Sequence, residues 1–177
     1  MLNSFSKTRP LGFTLIEMMI AIVILGILAS IAMPSFRALM INYKIRNAAE
    51  SITNGLQKAR AEAVSRNTNV ALTVGSDTSW QVYVVNPASA IESRSANEGS
   101  QNVTLAFKPL GSTTVTFNNF GSSLTPNPGS GVPATPFTEV DLTATGGSQS
   151  LNVTINAGGN ARMCDPSLPT GSSPRAC

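Results

Sequence analysis

No histidine occurs among the 177 residues, so the side chain most often used near neutral pH as a general base or metal ligand is missing. The sequence also lacks a glycine loop of the phosphate-cradling kind, a serine nucleophile elbow and any internal repeat. Its later carboxylates, among them Asp77, Glu92, Glu98, Glu139 and Asp141, fall in expected turns or strand edges without a discernible pairing rule. These absences remove the common catalytic constellations, and no enzyme activity, cofactor or metal centre is expected. Cysteine is scarce as well: Cys164 and Cys177 fall short of the ligand set that zinc requires. Trp80, the single tryptophan, opens an expected strand and reads as a core or edge aromatic.

Charge is thinly and unevenly spread. From Ser35 to Arg66 six basic residues (Arg37, Lys44, Arg46, Lys58, Arg60, Arg66) face Glu50 and Glu62, whereas from Asn67 onward four basic residues face six acidic ones. Most of the chain beyond the helical part is therefore mildly acidic, and composition alone draws no broad nucleic-acid stripe.

What the sequence does have is an apolar run from Phe13 to Met33, preceded by a short tail with Lys7 and Arg9 and interrupted by one carboxylate, Glu17. As a helix the run would be about 31 Å long, enough to cross the hydrocarbon core of a bilayer. An ionised group one turn inside it costs on the order of 3 kcal/mol, so Glu17 needs a partner. The string Gly12-Phe13-Thr14-Leu15-Ile16-Glu17 resembles the type IV prepilin signal. That resemblance implies cleavage by a prepilin peptidase between Gly12 and Phe13, with methylation of the new Phe13 amine. It also implies that Glu17 of one subunit faces the N-terminal amine of a neighbouring pilin, acting as an assembly register. The other reading of these residues is an ordinary signal anchor, for which Ala29-Ser30-Ile31-Ala32 offers only a weak cleavage site. Without residues 1–12 the formal charge falls from +3 to +1.

Pro34 ends the apolar run, where it would kink the helix or mark an exit from the membrane. Helical periodicity resumes beyond it. Ile45, Ala49, Ile52, Leu56, Ala59 and Ala63 form one apolar stripe, Lys58 and Arg66 each lie four residues from Glu62, and Gly55 offers a place to bend. The run Leu56–Arg66 is similar to the helix signature of the minor pilins and pseudopilins that include FimT, FimU and the H pseudopilin of type II secretion. After Arg66 the period shortens to two. Strands are expected at Asn69–Val74, Trp80–Asn86, Asn102–Phe107, Thr113–Phe117, Phe137–Leu142 and Ser150–Asn156, with Thr125–Pro136 as an exposed loop.

The resemblance implies an α+β chain with the type IV pilin fold: a leader (1–12), a transmembrane and assembly helix (13–34), an amphipathic helix (35–66), and an antiparallel sheet with a C-terminal loop (67–177). The cysteines flank a Pro/Gly/Ser-rich segment and read as a disulfide in an oxidising compartment, with two free thiols as the other possibility. With the leader, they place the C-terminal domain in the periplasm, although the positive residues after the anchor slightly favour the opposite orientation. A bacterial inner-membrane protein that later enters a surface pilus is the expectation.

The tail Gly159-Asn160-Ala161-Arg162 matches in part the Gly-Arg-x-Arg motif that FimT-like minor pilins use toward DNA, with only the second arginine present and Arg175 as a possible replacement. Weak, sequence-independent binding of double-stranded DNA through Arg162 and Arg175, with Lys58, Arg60 and Arg66 as secondary candidates, is therefore one expectation. Its alternatives are a subunit that primes pilus assembly without touching DNA and the H pseudopilin of a type II secretion system.

Overall fold

The structure, a computed structural model, describes residues 12–128, 133–171 and 173–177. The chain divides into two compact units, one ending at Arg37 and one running from Ala38 to Cys177. Helix α1 (Leu15–Arg66) contains Pro34 within its span. Thr14 starts it: its hydroxyl accepts the Glu17 amide N–H at 3.3 Å, satisfying one of the donors that a helix leaves unpaired in its first turn. Asn67, in the left-handed region at φ 51°, ends it, and the amides of Asn67 and Thr68 return to the carbonyls of Val64 and Ala63. In the first unit the apolar run is exposed from Phe13 onward, and it is long and apolar enough to cross a membrane.

In the second unit the predicted stripe is the buried face of α1. Ile45, Ala49, Ile52, Leu56, Ala59 and Ala63 are joined there by Ala48, Ser51 and Gly55. Gly55 serves close packing. A Cβ built on it would come within 2.6 Å of Leu72 Cδ1 and 3.1 Å of the Trp80 ring, so its bare backbone is what lets β-structure approach.

Eight strands follow: β1 (Val70–Val74), β2 (Trp80–Val84), β3 (Ser89–Arg94), β4 (Thr104–Lys108), β5 (Thr114–Phe117), β6 (Glu139–Thr143), β7 (Leu151–Ile155) and β8 (Ala161–Cys164). The single expected sheet is in fact two antiparallel sheets of four strands, ordered β3-β2-β1-β5 and β4-β6-β7-β8. Strands β3 and β8 were not expected from the sequence. The inner faces supply Val70, Leu72, Val82, Val115 and Phe117 from the first sheet and Val140, Leu142 and Val153 from the second, and all of these are buried with the helix stripe. Phe137 lies just outside β6, packed edge-to-face on Phe107 with ring centroids 5.5 Å apart.

Both sheets have a covered margin. At β5 the Leu124 amide bonds to the Thr116 carbonyl, and the side-chain amide of Asn127 accepts the Thr116 N–H (3.1 Å) and donates to the Thr114 carbonyl (3.0 Å). A buried asparagine thus takes the place of a neighbouring strand, and the segment expected to be an exposed loop is anchored at Asn127 and again at buried Pro136. At the end of β8 the chain's last residues run alongside Asp165, whose amide bonds to the Arg175 carbonyl at 2.6 Å.

Candidate functional site

The residues singled out by the sequence fall in three places. Gly12 and Phe13 precede α1, exposed, and Glu17 sits in its first turn. Thr14 and Glu17 stand three apart, the spacing of a capping box, so Glu17 also lies where the helix's unpaired N–H groups favour a negative charge. That local role was not drawn from the sequence, although the Thr-x-x-Glu letters carry it.

The second place is the tail. Cys164 and Cys177 form a disulfide with Cα atoms 5.1 Å apart. It closes a loop in which Asp165 Oδ1 accepts the Ser167 amide (2.9 Å) and hydroxyl (2.6 Å), and these bonds, with the Arg175 charge nearby, hold the Asp165 carboxyl below the usual range. Arg162 is exposed on β8 and its guanidinium donates to the carbonyl oxygens of Ala176 (3.3 Å) and Cys177 (3.4 Å). One nitrogen of the fork that was to meet phosphate, Nη2, is thus turned onto the chain's own tail.

The ladder shows what Arg162 shares its face with. Directly paired residues in antiparallel strands point to the same side, and the row through Arg162 reads Thr154, Glu139, Lys108. Lys108 Nζ lies 3.1 Å from Glu139 and 3.2 Å from Asp141, and these two carboxylates raise its pKa. Two carboxylates without an evident rule in the sequence thus share one lysine on the outer face of the second sheet.

The third place is the helix surface. Glu62 holds Arg66 at 2.6 Å and Lys58 at 3.1 Å, as its spacing predicts, and the two cations keep its carboxyl below the ordinary value. Lys58 also reaches Glu92 at 4.0 Å. Arg60 instead donates to the Gly121 carbonyl (3.0 Å) and to Asn160 Oδ1 (2.7 Å), tying α1 to two turns. Partners 61 and 100 residues away left no trace in local sequence. The secondary cations are thus engaged within the fold, and the structure does not gather them with Arg162 and Arg175. Among the described residues no group of His, Cys, Asp and Glu is placed to hold a metal ion.

An apolar N-terminal helix continuing into the core of a small two-sheet domain with a stapled tail defines the pilin-like class of helix-anchored subunits. A family model described as Type II transport protein GspH matches residues 48–159, and one described as the prokaryotic N-terminal methylation motif matches residues 8–33. The chain belongs to the GspH family, among the minor type IV pilins and type II secretion pseudopilins, and the methylation motif implies processing by prepilin peptidase and assembly with other pilins.

Solved structures share the fold. The type IV minor pilin FimU of Pseudomonas aeruginosa superposes with a TM-score of 0.51 at 19% identity, over 75% of this chain and 98% of that one. The minor pseudopilin EpsH from the type 2 secretion system of Vibrio cholerae gives 0.51 at 14% identity, over 71% of this chain and 99% of that one. No curated protein sequence matches significantly.

Proposed function

We propose that this chain is a minor pilin of a DNA-capturing type IV pilus. It is cut between Gly12 and Phe13, held in the bacterial inner membrane by the first half of α1 with its sheets in the periplasm, and drawn from there into a filament. In the filament Glu17 of one subunit pairs with the free amine of Phe13 of the next, so that neither charge stays alone in an apolar environment. The tail, stapled by Cys164–Cys177, then meets duplex DNA through its phosphates.

The observation that carries the DNA reading is Arg175. It is exposed beside the disulfide, and among the described residues its guanidinium makes neither a hydrogen bond nor an ion pair. A planar donor fork held out by a closed loop suits phosphate oxygens. Few contacts give weak binding with a shallow salt dependence, a log–log slope of about −2 to −3. Capture then relies on several subunits raising the effective concentration.

A titration of fluorescent duplex at low salt with the full chain in neutral detergent tests this. Arg175→Ala should weaken binding several-fold, and Lys58→Ala/Arg66→Ala should not. Arg60 is unsuitable as a control because it bonds two turns to the helix.

A second reading is favoured by Arg162, whose guanidinium is engaged by tail carbonyls on a face that also carries Glu139 and Asp141. On that reading the chain is an assembly-priming pilin, or the H pseudopilin of a type II secretion machine, and does not touch DNA. Absence of duplex binding at low salt would establish it over the first.

A further inference from the structure

We propose that a cleft between α1 and the stapled tail binds a single phosphate group, free or within a nucleic-acid backbone, through Arg46 and Arg175. The inference rests on the tail being the DNA-facing surface and replaces Arg162 by Arg46 as the second guanidinium. The cleft holds about 120 Å³ and is lined by Arg46, Gln149, Leu151, Met163, Asp165 and Arg175, besides the Cys164 half of the disulfide.

Its donors are available. Arg46 uses Nε on Glu50 at 2.8 Å, which leaves the Nη edge of the fork without a partner among the described residues. Arg175 is unpaired in the same sense. The competing carboxylate in the cleft, Asp165, has Oδ1 engaged by the amide and hydroxyl of Ser167. Gln149 adds a neutral donor, while Leu151 and Met163 supply an apolar wall against which charge-assisted bonds strengthen. Arg162 is not among the residues that line the cleft, and its Nη2 is held by the carbonyl oxygens of Ala176 and Cys177. Glu50 and Asp165 balance the two arginines in formal charge, so the site works by donor geometry and holds its ligand weakly.

The disulfide restrains the Arg175 side of the cleft. Arg175 is two residues from Cys177, and Cys164 lines the cleft itself. The test uses the full chain in neutral detergent with two probes, inorganic phosphate followed by arginine Nε–H resonances, and a short duplex followed by anisotropy. Arg46→Gln and Arg175→Gln should each abolish the phosphate-induced shifts, weaken duplex binding several-fold and reduce the log–log salt slope by about one. Lys58→Gln/Arg66→Gln should leave all three unchanged, and Arg46→Lys, which keeps charge without the fork, should recover the slope but only part of the affinity.

If Arg46→Gln leaves both readouts unchanged while Arg175→Gln lowers duplex binding, the cleft is overturned and the DNA-facing tail stands. If phosphate shifts Arg46 and Arg175 but no duplex binds, the cleft stands as a site for another phosphate source and the DNA reading falls. No response to either probe overturns both.

Discussion

Trp80 Nε1 donates to Ser51 Oγ at 2.7 Å, a bond between β2 and α1 inside the core, with both residues buried. The indole packs on Gly55, one helical turn beyond Ser51, so a polar bond and a missing side chain together fix how the first sheet approaches the helix. Ser51→Ala leaves the indole N–H unpaired and should destabilise the chain by about 1–3 kcal/mol. Gly55→Ala gains about 1 kcal/mol of helix propensity. Its Cβ, however, meets Leu72 and Trp80, both buried, and overpacking of that kind costs about 1–3 kcal/mol. The expected net result is a lower denaturation midpoint; a Gly55→Ala variant more stable than the parent would refute the packing account.

Glu62 sets a pH dependence. Arg66 and Lys58 lower its carboxyl in the folded chain, so this contribution is fully present above the unfolded carboxyl range and disappears as pH falls through the lower folded value. The cations are about half exposed, and two such helix pairs amount to under about 1 kcal/mol. Glu62→Gln should therefore be slightly less stable than the parent at pH 7, and the gap should be smaller near pH 3. An equal gap at both pH values would mean that Glu62 acts through packing instead.

Reduction of Cys164–Cys177 should cost about 3 kcal/mol on the chain-entropy estimate. It should also release the short pairing at Asp165, so that hydrogen exchange at the Asp165 and Cys177 amides accelerates while β7 stays protected. Unchanged exchange in the reduced chain would show that the tail is held without its staple.

Processing is checked at the N-terminus of protein recovered from membranes. Mass spectrometry is expected to find N-methyl-phenylalanine at Phe13, and a bulky residue at Gly12 should leave the leader attached. A mature terminus near Ala32 would instead mark an ordinary secretory signal.

Glu17→Val should insert into the membrane at least as well as the parent, since removing the acid lowers the transfer cost. It should nevertheless fail to enter filaments. The Thr14 hydroxyl accepts from the backbone amide at position 17, so that bond survives either substitution, and Glu17→Gln, which keeps a side chain able to cap, isolates the charge. If Glu17→Gln assembles normally, the negative charge is not what assembly requires.

The stripe from Ile45 to Ala63 was legible because burial and helical period coincide in it, and six strand positions were legible because β-branched residues sit between turn formers. Strand β3 was not, since Ser89, Ala90, Glu92 and Ser93 form an exposed margin whose pairing with β2 is dictated by the neighbouring strand and not by its own side chains. Strand β8 is only four residues long and leaves a Gly-Gly turn, so it hides in what reads as tail. Pairing of β1 with β5 across forty residues of chain divides the strands into two sheets, and no local pattern encodes it. At the candidate sites the Gly12–Glu17 string and the cysteine pair were readable as letters, whereas the fates of Arg60 and Arg162 depend on carbonyls brought near by the fold.

The side-chain amide of Asn127 closes the ladder of β5 by imitating a strand that is not there. For most proteins an open sheet margin is a hazard; for a subunit meant to stack on its own kind it would be a competing way to polymerise, one that grows sideways. Sealing β5 with an asparagine removes one of those sideways routes. A defect at Asn127 would accordingly show itself first as wrong-way growth, tangles in place of threads, in a chain whose helix and core remain sound.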